Sequence, residues 1–181
     1  DLPGVRDYFG RYPYPCFEQR ASPAIGLGAR KRRDALMRTL PDHLDRDGMV
    51  RYFTLLSEGD DALTAYLLAI ADEAGFALPE EPRRRMEQAL VAFVEGRVVR
   101  HSPLPTAALA LRKLAALAAL SRGKEPIKPA WLDSIALEPN LWPTSAVIDW
   151  YLLLTRATAL RQRAQRLQEA ETILRSRLNF Q

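Results

Sequence analysis

Cys16 is the only cysteine of the chain, and Gln19 follows it in the run Arg11-Tyr-Pro-Tyr-Pro-Cys-Phe-Glu-Gln19. On the first turn of a helix, positions three apart share a face, so this thiol can meet this side-chain carbonyl. A helix N-terminus favours a thiolate, and attack of a thiolate on a carboxamide with loss of ammonia gives an internal thioester. A thioester is an activated acyl group: an incoming amine or hydroxyl displaces the sulfur and stays attached through the carbonyl. As a spacing alone, Cys-x-x-Gln equally suits a cysteine that serves as a small buried hydrophobe.

A thioester needs an apolar cover until it is used, because water would hydrolyse it. Tyr8, Phe9, Tyr12, Tyr14 and Phe17 are five of the chain's six Tyr and six Phe, and all lie beside the pair. Tyr8, Tyr12 and Tyr14 are therefore candidate shields, with ordinary core anchoring as the alternative for each. Glu18 falls off the Cys16 and Gln19 face and receives no role.

The elements that must position the pair are helices. Each proline of Tyr12-Pro-Tyr-Pro15 pushes the residue before it out of the helical region, so a helix can begin at Cys16. Apolar residues recur at three and four, which predicts helices over about 16 to 27 and 29 to 40. A loop from Pro41 to Asp61 carrying Asp47-Gly48 follows. The next helix starts at Asp61 under a cap from Asp60 or Asp61 and stops at Gly75; its partner opens at Pro82 and ends near Gly96. A second hairpin pairs Pro103 to Leu120 with Pro129 to Leu137, and a third pairs Pro143 to Thr155 with Arg161 to Arg177. No segment reads as a strand. The fold class is all-α, a single domain over 1–181 built of helical hairpins, and an Ala-rich face (Ala107, Ala108, Ala110, Ala115, Ala116, Ala118, Ala119) would let inner helices approach closely.

Composition excludes several classes. With 26 Lys and Arg against 22 Asp and Glu, the net charge is only +4. The runs Arg30-Lys-Arg-Arg33 and Arg83-Arg-Arg85 lack interleaved aromatics, so they read as solvated helix faces and no nucleic acid is expected. The arginines of the last helix read as an exposed or docking face. No metal cluster, phosphate loop or hydrolase triad is present, and no cofactor is expected. One cysteine cannot form an internal disulfide, and no run reaches the ~18 apolar residues of a membrane span. The start, Asp-Leu-Pro-Gly, has neither an initiator Met nor a signal peptide, which suggests a segment of a longer chain.

Tyr12-Pro-Tyr-Pro-Cys-Phe-Glu-Gln19 resembles the Tyr-Pro-Tyr-Gly-Cys-Leu-Glu-Gln stretch of bacterial alpha-2-macroglobulins, whose Cys and Gln form a thioester. Asp47-Gly48 and Leu63-Thr-Ala-Tyr-Leu-Leu-Ala-Ile-Ala71 are similar to the segments that follow it in complement-like proteins. The resemblance implies that the hairpins form part of an alpha/alpha toroid, a portion of a thioester domain. It also implies a protease inhibitor of the periplasm or cell envelope, in which target proteases are held covalently by amine attack on Gln19. Such chemistry occurs once per molecule and is not enzymatic turnover. In some relatives a histidine assists transfer to hydroxyls; His101 is the candidate here, ahead of His43. One departure is Pro15, where the family has Gly, so the turn into Cys16 must differ. The remaining domains of the parent are implied partners, and the isolated piece is expected to self-associate through faces that meet them. The alternative from another class is a helical-hairpin interaction module whose Cys16 and Gln19 never react. A toroid enzyme of the terpene-cyclase kind would need an Asp-rich motif that the sequence lacks.

Overall fold

The computed structural model describes residues 16–26, 30–101, 106–123, 125–133, 135 and 138–179. These residues form α1 (Phe17–Gly26), α2 (Arg30–His43), α3 (Asp61–Glu73), α4 (Glu80–Val94), α5 (Thr106–Leu120), α6 (Thr144–Arg156) and α7 (Arg163–Leu178). No strand occurs among them, and the fold is all-α as the periodicity predicts.

The helices stack in two layers. Helices α1, α3, α5 and α6 pack in succession as one layer, while α2 lies on α1, α4 on α3 and α5, and α7 on α6. Consecutive helices thus pair as α1 with α2, α3 with α4 and α6 with α7. The apolar stripes of the inner helices meet the outer ones: Leu67 and Leu68 of α3, Met86 and Leu90 of α4, and Leu114 and Leu117 of α5 are all fully buried. Each such side chain stabilises the fold by roughly 1.5–3 kcal/mol relative to exposure. Of the α5 alanines named, Ala116, Ala118 and Ala119 are buried, while Ala110 and Ala115 are half-buried.

Local chemistry sets the helix ends. Asp60 is extended (φ −111°, ψ 130°) and its carboxylate accepts the Leu63 amide at 2.7 Å, capping α3. Gly75 and Gly96, at φ +65° and +77°, end α3 and α4 in the left-handed region that glycine tolerates.

Three boundaries differ from the sequence reading. Helix α2 runs through Pro41 to His43; proline removes one amide, but the Arg51 amide donates to the His43 carbonyl at 2.8 Å and holds the last turn. The stretch after it is no open loop, since single antiparallel bridges pair Leu44 with Val50 and Val50 with Asp60. In place of one helix over Pro129 to Leu137 there are two 3-10 turns, Pro129–Leu132 and Pro139–Leu141, the second packed against α7. A proline at the start of each turn fixes the entry but cannot donate to an earlier carbonyl.

Candidate functional site

Helix α1 begins under Cys16. The first helical hydrogen bond runs from the Arg20 amide to the Cys16 carbonyl at 3.1 Å, so Cys16 is the N-cap. Gln19 then occupies the third helical position, and its side-chain carbonyl accepts the Cys16 amide hydrogen at 3.2 Å. This is the reach-back half of a capping box, with a cysteine where serine or threonine usually stands. The Gln19 carboxamide thereby reaches back to the Cys16 backbone on the same turn.

Cys16 is half-buried, and Glu18 and Gln19 are exposed. Tyr8, Phe9, Tyr12, Tyr14 and Pro15 lie outside the described residues. Phe17, also named among the covers, is instead a core anchor: it is fully buried and its ring packs on His43 at 4.6 Å between centroids. Its amide, one of the orphan donors of a helix start, donates to the Tyr52 carbonyl at 2.8 Å.

Two polar groups flank this turn. The Tyr52 phenol is pushed up to about 12, first by burial and then by nearby negative charge, that of Asp60 foremost. His43 is buried, and its Nδ1 lies 3.0 Å from the Arg51 carbonyl, which makes that nitrogen the donor. Burial pushes the imidazole below its ordinary value; the Arg51 carbonyl opposes this, and the charges of Arg20 and Arg51 add to it. His101 is exposed on the link after α4. Of the chain's two histidines, the structure therefore sets His43 against the residue next to Cys16.

Helix α1 and the segment beside it are held by residues that the sequence reading passed over. The Ser22 and Tyr66 hydroxyls lie 3.0 Å apart, joining α1 to α3. Thr64, fully buried, accepts the Val50 amide at 2.8 Å and donates to the Asp60 carbonyl at 2.6 Å. Leu63-Thr-Ala-Tyr66 thus faces both the site helix and the 50–60 segment. Beneath them Asp45 accepts the amides of Asp47, Met49 and Gly59 at 2.9, 2.9 and 2.7 Å, and Arg100 at 2.6 Å. Burial alone would raise the Asp45 carboxyl, but these donors bring it below its usual value. Arg100 also donates to Asp47 at 2.8 Å and to the Gly59 carbonyl at 3.0 Å. A second pair, buried Asp61 with half-buried Arg112, fixes α3 to α5.

The Arg83-Arg-Arg85 run is not the purely solvated face expected of it. Arg83 forks onto Asp72 at 2.7 and 3.0 Å, and Arg85 donates to the Asp45 carbonyl at 2.8 Å. The described surface includes an open groove of about 630 Å³ between Val91, Leu120 and Trp131, and another of about 240 Å³ between the alanines of α3 and α5 and Asp149 of α6. No cluster able to hold a metal occurs among the described residues, and no described helix is long and apolar enough to cross a membrane.

No protein-family model matches the chain, and no curated protein is significantly similar to it. Among solved structures, it is similar to native alpha-2-macroglobulin of Escherichia coli, with a TM-score of 0.69 and 18% identity over 92% of this chain and 12% of that one. The E. coli protein spanning domain MG7 to its C-terminus gives a TM-score of 0.66 and 19% identity, covering 91% of this chain and 30% of that one. Salmonella alpha-2-macroglobulin reacted with methylamine gives 0.69 and 20%, covering 93% of this chain and 12% of that one. At these identities the likeness is one of fold, and the chain spans a small part of each of these proteins.

Proposed function

We propose that the chain is a portion of the thioester domain of a bacterial alpha-2-macroglobulin, with Cys16 and Gln19 as the reacting pair. The observation that carries the reading is the Gln19 carboxamide reaching back to the Cys16 backbone at the first turn of α1. The shared fold with E. coli and Salmonella alpha-2-macroglobulins supports it. In forming the bond, the Cys16 sulfur attacks the Gln19 Cδ, the carboxamide C–N bond breaks, and ammonia leaves with the thiol proton. In the reverse sense, an amine nitrogen attacks Cδ, the C–S bond breaks, and the amine proton returns to the sulfur as a free thiol. A lysine of an attacking protease is the amine that such a trap would take, in the periplasm or at the cell envelope. Tyr8, Tyr12 and Tyr14 would be its cover before use. His101, the exposed imidazole, is the group to test for assisted transfer to hydroxyls.

The capping geometry also favours a second reading. Gln19 satisfies an otherwise orphan amide, a structural task that needs no chemistry. In that case the chain is a hairpin module and Cys16 a permanent thiol. Methylamine separates the two. The thioester reading predicts one methylamine incorporated at Gln19 for each new thiol at Cys16; a thiol that titrates fully before any amine is added, with no incorporation, contradicts it.

A further inference from the structure

Resting on the reading of Cys16 and Gln19 as the reacting pair, we propose that Arg51 and Tyr52 form a clamp that positions this pair. The clamp is built from backbone and side chain together. The Tyr52 carbonyl holds the Phe17 amide at 2.8 Å, one residue from Cys16. The Arg51 amide and carbonyl both engage His43, whose ring in turn lies on Phe17. The start of α1 is thus gripped twice by two consecutive residues of the 50–60 segment.

That segment is a poor holder unless it is itself fixed, and the Arg51 guanidinium does this. Its Nη2 donates to the Asp42 carbonyl at 2.7 Å and the Leu44 carbonyl at 3.3 Å, and its Nη1 to the Leu56 carbonyl at 2.9 Å. One side chain therefore ties the end of α2 to both limbs of the segment that carries Tyr52. Its Nε is buried without a partner, so the fork is set by the three carbonyls and not by satisfaction of every donor. Lysine has the charge but not the planar fork, and cannot reproduce this pattern. The Tyr52 ring packs against the edge of the core and so anchors the residue whose carbonyl holds the Phe17 amide.

The test uses the full chain after methylamine treatment, so that Cys16 carries a free thiol whether or not a thioester preceded it. Hydrogen exchange at the Phe17 amide and iodoacetamide alkylation of Cys16 are compared among the unmodified chain, Arg51→Lys, Tyr52→Phe and Tyr52→Ala. In Arg51→Lys both rates rise roughly fivefold, the factor matching loss of about 1 kcal/mol of net hydrogen-bond stabilisation, while amides of α6 and α7 keep their protection. Tyr52→Phe leaves both rates unchanged, and Tyr52→Ala raises alkylation. Phe17 exchange that does not move in folded Arg51→Lys overturns the clamp, even where methylamine incorporation has established the thioester. Acceleration in a chain that never incorporates methylamine upholds the clamp and counts against the thioester reading.

Discussion

The side-chain carbonyl of Gln19 lies 3.2 Å from the backbone nitrogen of Cys16 and accepts its hydrogen. The bond gives Gln19 a structural task that can be separated from its chemical one. Replacing Gln19 with Ala removes the reach-back acceptor and is expected to cost about 1 kcal/mol of stability. Gln19→Glu keeps an acceptor at the same place, and its charge suits a helix N-terminus, so it should stay near the original stability. Urea unfolding of the two variants checks this; equal losses would show that the carbonyl does not cap α1.

The Asp45–Arg100 pair holds the 44–60 segment to the link after α4, with side chains only 1% and 7% exposed. Removing one partner leaves the other charge buried and uncompensated, at a cost of about 3–5 kcal/mol. Arg100→Ala is therefore expected to lower the urea midpoint far more than Arg84→Ala, whose side chain is 59% exposed. Comparable midpoints for the two would contradict the hub.

Gly59 tests close approach in the same segment. A Cβ there would stand 2.4 Å from the Met49 carbonyl oxygen and 2.6 Å from the Met49 Cβ, so the backbone itself must move. Gly59→Ala should destabilise by roughly 1–3 kcal/mol, the range typical of overpacking. Gly75→Ala meets no neighbouring atom, and its loss comes only from the positive φ. A Gly59→Ala protein as stable as the original, by thermal unfolding, would refute the packing.

His43 gives the site region a pH dependence of defined sign. Its folded value is lowered, chiefly by burial, from an ordinary value of 6.5. The unfolded chain thus takes up the proton first as pH falls. The contribution of neutral His43 is fully present above 6.5 and is lost as pH falls from there through the lower folded value. Stability measured from pH 7.5 downward should decline in this window, and the decline should shrink in His43→Gln. A profile unchanged by the substitution would place the dependence on other groups.

Much of the fold was legible because proline and glycine punctuate it. Pro13 and Pro15 with Cys16, Gly75, and Gly96 mark where α1 can start and where α3 and α4 must stop. Pro41 misled because the contacts that carry α2 past it, from Arg51 and Phe17 to His43, depend on tertiary structure and leave no local periodicity. The pairing of Cys16 with Gln19 is a one-turn relationship and can be read from spacing. Its supports cannot: Asp45 meets Arg100 across 55 positions, and Ser22 meets Tyr66 across 44. The one available sign was the run Leu63-Thr-Ala-Tyr66, with two polar side chains set in an apolar helix.

Intact mass of the chain, beside that of Cys16→Ala, tests the thioester most directly. A Cys16–Gln19 thioester gives a mass lower than the sequence requires by one ammonia, with no such deficit in Cys16→Ala. A full sequence mass for the freshly prepared protein, with the Cys16 thiol freely alkylated, would contradict it.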